Sequence, residues 1–311
     1  MPSKPDGAEN GDERSALDIL SEQYSTVFEE HMRNLCGEPY EHIPPRLMEA
    51  MSYSLLAGGK RLRPALCLAA AERSGVSPGR AMPMAIATEF MHTASLIHDD
   101  LPCMDDDDLR RGLPTSHKKF GECLAVLAGD SLMIWSFGYA LSHLPPQGIP
   151  AERVVRAVGI LSESSGPAGM CGGQVLDTDA QSREDREDFV YRIASSKTAA
   201  LIRASLVSGA MLGDITDTAL QCYYDYGTHL GLAFQIVDDI LDVTSTADVL
   251  GKTPNKDETQ HKLTFVSAYG IEQARQMALK ESIEAERAME SLFPEGDLLI
   301  DLARSLVNRS Y

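Results

Sequence analysis

Phe234-Gln235-Ile236-Val237-Asp238-Asp239-Ile240-Leu241-Asp242 is the stretch on which the reading of the whole chain turns. Asp238 and Asp242 are four residues apart and Gln235 precedes Asp238 by three, so a helix projects all three from one face. Ile236, Val237, Ile240 and Leu241 keep that helix packed. Like charges at this spacing destabilise a helix unless something bridges them. The surrounding sequence is helical in character as well. Aromatic residues make up 6% of the chain, β-branched residues rarely cluster, and Ala, Leu, Met and Glu fill the stretches between Pro and Gly. Helix ends are predicted at Pro44-Pro45, Gly58-Gly59, Pro64, Gly79, Pro83, Pro102, Gly112 to Pro114, Pro145-Pro146, Pro150, Gly166-Pro167, Gly251 to Pro254 and Pro294. These breaks mark about ten to twelve segments with no linker or fixed-period repeat between them. The expectation is an all-α fold, one large bundle over residues 15–311 behind a polar, frayed stretch at 1–14.

Forty-six acidic residues against 28 basic ones give the 311-residue chain a net charge of −18. That balance repels phosphate backbones and anionic lipid, so nucleic-acid binding is disfavoured and an anionic ligand requires an intervening metal. The cysteines (Cys36, Cys67, Cys103, Cys123, Cys171, Cys222) form no CxxC pair, which predicts reduced thiols and a cytoplasmic location. No run is expected to reach the ~18 apolar residues of a membrane span.

A second acid cluster, His98-Asp99-Asp100-Leu101-Pro102-Cys103-Met104-Asp105-Asp106-Asp107-Asp108, holds six carboxylates within ten residues. The apolar run Phe90 to Ile97 leads straight into it, so Asp99 and Asp100 end a buried helix and Pro102 bends the chain beyond them. A solvated acidic loop would explain one such cluster. Two acid pairs set in apolar runs point instead to hard divalent cations, and Mg²⁺ is often held by a few carboxylates plus substrate phosphates. Basic groups stand nearby in sequence. Gly58-Gly59-Lys60-Arg61-Leu62-Arg63-Pro64 places three cations beside a flexible Gly pair at a helix junction, where they can converge on one anion. Arg110-Arg111-Gly112 follows the first cluster, Lys197-Thr198 follows two serines, and Lys252, Lys256 and Lys262 come after Asp238. His92 precedes Asp99 by two helical turns and lies on its face.

These motifs in this order, with Gly172-Gly173-Gln174-Val175-Leu176-Asp177 between them, resemble the short-chain trans-isoprenyl diphosphate synthases from about Leu55 to Lys262. The first motif is DDxxxxD, and its two inserted residues, Pro102 and Cys103, are similar to those of bacterial farnesyl and plant and bacterial geranylgeranyl diphosphate synthases. The resemblance implies a helical fold around a central apolar cavity and a homodimer. It also implies a Mg²⁺-dependent condensation of isopentenyl diphosphate with dimethylallyl, geranyl or farnesyl diphosphate. By the same resemblance Asp99, Asp105 and Asp238 would ligate Mg²⁺, three ions with the allylic diphosphate bound, with Asp100, Asp239 and Asp242 completing or orienting the shell. Arg110, Lys197, Gln235, Lys252 and Lys262 would hold the same diphosphate, and Thr198 would sit near the carbocation. Lys60, Arg63, His92 and Arg111 match the pocket for isopentenyl diphosphate, which binds without metal.

A class I terpene cyclase would share the first motif but lacks the second aspartate motif and the basic junction. Intact aspartates argue against a non-catalytic subunit of a synthase heteromer, and a generic Ca²⁺ module leaves the basic motifs unexplained. Product length is read from the helix ending at Asp99. Farnesyl-producing relatives carry a bulky aromatic five residues before the first Asp, and this chain has Ala94 there, with Met91 as the next barrier. The C20 product is therefore favoured over C15, unless Phe120 or Tyr139 supplies a floor from another helix.

Overall fold

The structure, a computed structural model, describes residues 15–179, 186–244 and 262–307. Residues 1–14 and the Gly251-to-Asp257 motif, with Lys252 and Lys256, lie outside the described residues. Twelve α-helices of eight residues or more are present among the described residues. The first four are α1 (Ala16–Gly37), α2 (Pro45–Leu55), α3 (Leu62–Arg73) and α4 (Pro78–Asp99). A two-residue hairpin, β1 (Leu109–Arg110) with β2 (Leu113–Pro114), leads to α5 (Ser116–Phe120), α6 (Glu122–His143), α7 (Ala151–Ser165), α8 (Met170–Asp179) and α9 (Arg186–Ile193). A π-helical turn over Ala194–Ala199 joins α9 to α10 (Ala200–Met211). Then come α11 (Asp217–Thr244), α12 (Phe265–Tyr269), α13 (Ile271–Glu290) and α14 (Leu298–Leu306).

The core is organised around α10, which is buried at every position except Arg203. A helix apolar on all sides has no solvent face, so it takes the centre, with α3, α7 and α11 packed around it. The long α11 is drawn in close by its small residues. A Cβ at Gly231 would stand 2.5 Å from the Cα of Ala199, and one at Gly227 2.6 Å from the Cα of Arg203, so only glycine lets these backbones meet. Outside this layer α13 covers α11, and α4 packs between α3 and α6.

Two expectations are corrected. Pro83 does not end a helix, because α4 runs through it from Pro78 to Asp99. The amide it lacks would have bonded the carbonyl of Gly79 in the first turn, so only one bond at the frayed end is lost. The expectation that no stretch could span a membrane also fails by length and composition, since residues 122–147 meet that test. Single polar residues interrupt this run without lowering its average enough. Only 33% of the qualifying window is buried. α6 packs on α4 along one side and leaves Leu127 (49% exposed), Ile134 (73%) and Leu141 (44%) on the other. Their spacing of seven residues places them in a single stripe.

Gly231→Ala forces apart the close contact of α11 with the start of α10, and should destabilise the protein by about 1–3 kcal/mol. The expected readout is a lower urea midpoint with an unchanged m-value.

Candidate active site

Pro102 and the residues behind it fold back on the end of α4. The amide of Asp105 donates to the carbonyl of Asp99 (2.8 Å), those of Asp106 and Asp107 donate to Leu101 and Asp100, and Asp106 takes a left-handed conformation (φ 47°). The turn brings the third motif aspartate back against the first. Asp105 then meets Lys262 (Oδ1 to Nζ, 2.9 Å). Burial pushes the Asp99 carboxyl up to about 6, a shift that Asp105 reinforces and Lys197 opposes. Asp100 is engaged elsewhere: it accepts from Arg110 Nε (3.0 Å) and Nη2, and Arg110 also pairs with Asp107 at 3.2 Å. Arg110 thus braces the loop from behind.

The π-helical turn carries Lys197 and Thr198. π-bulges of this kind recur at functional sites because they displace one turn of side chains. The turn is pressed against α8, where a Cβ on Gly173 would lie 2.3 Å from the amide nitrogen of Lys197. Lys197 Nζ pairs with Asp177 of α8 at 2.6 Å. Thr198 Oγ1 donates to Gln235 Oε1 (2.6 Å), and Gln235 Nε2 donates to Asp239 Oδ1 (2.8 Å). Asp239 is buried, and its second oxygen accepts from the amide of Phe265 at 2.8 Å. Thr264 caps α12 and so presents that amide. Asp239 therefore ties α11 to α12, while Asp238 on the neighbouring face lies near enough to Arg63 to favour its positive charge.

The basic junction converges on α4 from the other side. Arg63 Nη1 is 3.2 Å from His92 Nε2. A guanidinium can only donate, so the imidazole nitrogen accepts. Burial holds the His92 pKa well below its ordinary value, and the cations Arg63 and Arg111 depress it further, so the ring stays neutral. Burial also lowers Arg63 to about 10, which leaves it charged at neutral pH. Arg111 donates to the carbonyl of Gly58 and lies over Gly59, where a Cβ would come within 2.6 Å of its guanidinium carbon. Gly59 also has φ 119°, which L side chains rarely adopt.

Arg63, His92, Asp99, Lys197 and Thr198 line one cavity of about 370 Å³. Asp105 and Lys262 join it through the folded loop, and Gln235 joins it through Thr198. Lys60 is exposed and does not line the cavity, and Arg110 lies in a separate recess with Asp100 and Arg111. Ala94 and Met91 are buried in packed core and form no part of the cavity wall. The α4 residues on the wall are His92, Ser95, Leu96, His98 and Asp99; a helical step of about 100° turns Ala94 roughly 130° away from the middle of that face, while Met91, one turn before Ser95, shares the direction of Ser95. Neither Phe120 nor Tyr139 lines this cavity: Phe120 meets Tyr53 edge-on and Tyr139 stacks on His143. Small Ser95 and flexible Met133 line it, as do Met104, Met170 and Gln174. The spacing Met170, Gln174, Thr178 marks one face of α8 and is the signal that identifies this wall in the sequence.

Among the described residues no three His, Cys, Asp or Glu donors converge on a common point. This donor set suits Mg²⁺, which keeps much of its water and takes one or two carboxylates with phosphate oxygens where a Ca²⁺ or Zn²⁺ site would need a protein cage.

Residues 44–295 match the family model described as polyprenyl synthetase. The chloroplastic geranylgeranyl pyrophosphate synthase of Catharanthus roseus is 46% identical over 253 residues, covering 81% of this chain and 70% of the relative. The farnesyl diphosphate synthase of Bacillus subtilis (strain 168) is 41% identical over 269 residues, covering 86% and 90%. The crystal structure of a Helicobacter pylori geranyltransferase complexed with magnesium and isoprenyl diphosphate superposes with a TM-score of 0.81 at 33% identity, covering 96% of this chain and 98% of that one. The family model spans most of the chain, including both aspartate motifs and the basic junction, and the chain belongs to the polyprenyl synthetase family.

Proposed function

We propose that the protein is a Mg²⁺-dependent prenyltransferase joining isopentenyl diphosphate head-to-tail to allylic diphosphates. The observation that carries this reading is the arrangement of one cavity between two unlike anion sites. Asp99 and Lys197 line it, with Asp105 and Lys262 joined through the folded loop. Arg63 and His92 line it as well, with Arg111 nearby.

In the proposed reaction Asp99, Asp105 and Asp238 would hold Mg²⁺, with three ions expected once the allylic diphosphate is bound. When bound, the metal supplies positive charge to the departing diphosphate and so stabilises its release. Lys197, Lys262, Gln235 and Arg110 are assigned to the same diphosphate, as is Lys252, and Asp100, Asp239 and Asp242 to orienting the shell. The allylic C–O bond breaks with its electron pair leaving on pyrophosphate. The isopentenyl double bond then attacks the allylic cation to form the new C–C bond, and a proton lost from isopentenyl C2 to the released pyrophosphate restores a double bond. Thr198, whose hydroxyl donates to Gln235, is assigned to the neighbourhood of the cation. The methionines and Leu201 keep water away from it. Isopentenyl diphosphate takes Lys60, Arg63, His92 and Arg111, a set that needs no metal because its arginines are already cationic.

Small Ser95 on a cavity wall lined by no aromatic side chain, with Ala94 five residues before the first Asp, supports geranylgeranyl diphosphate, C20, as the main product, with C15 as the alternative. The resemblance also supports a homodimer, and the exposed Leu127, Ile134 and Leu141 stripe of α6 is the face assigned to the second copy. The one contiguous core supports a single synthase domain over 15–311. Six unbridged cysteines suit a reducing compartment such as the cytoplasm.

Asp238→Ala and EDTA treatment should each lower turnover by about 10³-fold or more with the fold intact by circular dichroism. Near-native activity in either case rules out the metal assignment. Chromatography of dephosphorylated products should show mainly C20 for the wild type and C15 for Ser95→Phe, while Ala94→Phe should lower stability more than it shifts product. A C15 product from wild type with excess isopentenyl diphosphate overturns the length assignment. Ile134→Glu should convert a dimer to a monomer in sedimentation, and a wild-type monomer refutes the dimer.

A further inference from the structure

We propose that Arg61, which binds neither substrate, is the positioning residue of the isopentenyl diphosphate pocket: its buried side chain, clamped between three helices, holds the turn that aims Lys60 and Arg63. This rests on the assignment of Lys60, Arg63, His92 and Arg111 to that substrate.

Arg61 adopts a left-handed conformation (φ 46°, ψ 36°) at the start of α3, one residue after Lys60 and two before Arg63. A non-glycine residue is strained there and needs its surroundings to hold it. The clamp is the guanidinium. Nε donates to Glu29 of α1 (2.6 Å), Nη1 to Glu89 of α4 (2.5 Å) and Nη2 to the carbonyl of Leu55, the last residue of α2 (2.6 Å). The Phe28 ring lies 5.8 Å beneath it. Burial works against this charge, but Glu89 and Glu29 outweigh it and raise the pKa of Arg61. All three directions of the fork are used, so the backbone between Gly59 and Leu62 has a fixed origin against α1, α2 and α4.

Glu89 has a second part. It is almost wholly buried, and it is the leading favourable charge for Arg63 and for Arg111 as well as for Arg61. One carboxylate thus serves three guanidinium groups, one turn of α4 before His92. The cluster keeps surplus positive charge facing the cavity, held in place before any ligand arrives. An anion site built in this way spends little binding energy on reorganisation.

The test is Arg61→Lys, which keeps the charge and removes the fork that reaches three partners at once. Steady-state kinetics should show the KM for isopentenyl diphosphate rising about tenfold, with kcat within about threefold and the allylic KM within about twofold of wild type. A purely structural role would lower the active fraction, so a fall in kcat with unchanged KM for isopentenyl diphosphate overturns the proposal. An equal rise in both KM values does so too. Should Arg61→Lys fail to fold, Glu29→Gln at the more open end of the clamp should raise the same KM about threefold, and no change there overturns the proposal. Arg63→Ala measured alongside separates the two claims. If it leaves the KM for isopentenyl diphosphate unchanged, the pocket assignment fails and the positioning role with it. If it raises that KM while Arg61→Lys does not, the positioning role alone fails.

Discussion

Asp99 and Asp100 stand at the carbonyl end of a 22-residue helix, where the backbone dipole already concentrates negative charge. Asp99 gains no help from burial, which makes its ionised form less favourable still. Left alone, such an arrangement would protonate or unwind. The surroundings answer it with cations drawn from distant parts of the chain: Arg110 on Asp100, Lys262 on Asp105, and Lys197 close enough to oppose the shift at Asp99. The loop, the π-helical turn and the entry into α12 can all be understood as ways of bringing opposite charge to the end of α4.

That solution is asymmetric. The acidic end carries carboxylates partly neutralised by lysines, each of which can exchange its partner for a phosphate oxygen. The basic end carries arginines whose counter-charge is shared, with a neutral imidazole between them. On the proposed assignment, two diphosphates entering one cavity would be sorted by the kind of neutralisation they find, metal for one and guanidinium for the other. A chain of net charge −18 handles two anionic substrates because these local fields outweigh the distant average.

Small residues make the geometry possible. Gly173 lets α8 touch the backbone of the π-helical turn, and Gly231 does the same for α11 at Ala199. Gly129 is a third case, since a Cβ there would fall 2.2 Å from His98 Nε2, on the cavity wall beside Asp99. Each glycine lies where an element that carries chemistry meets one that supports it.

Much of this was legible in the residues alone. Helical composition and the Pro and Gly breaks determined an all-α fold, and the two acid clusters in apolar runs pointed to a cation and an anionic ligand there. Both rest on local physics, spacing along a helix and the cost of crowding like charges. Tertiary structure decided what spacing leaves open. Gln235 bonds Asp239 and not Asp238, because the amide of Phe265, 26 residues further on, fixes the Asp239 side chain. Ser95 and not Ala94 faces the cavity, because the rotation of α4 is set by its packing against α3 and α6. Pro83 sits inside a helix because its missing bond falls in the first turn. The sequence names Arg61 only as one cation among three. Its role emerges when Glu29, Leu55 and Glu89, from three separate helices, close on one guanidinium, and no pattern along the chain encodes that convergence.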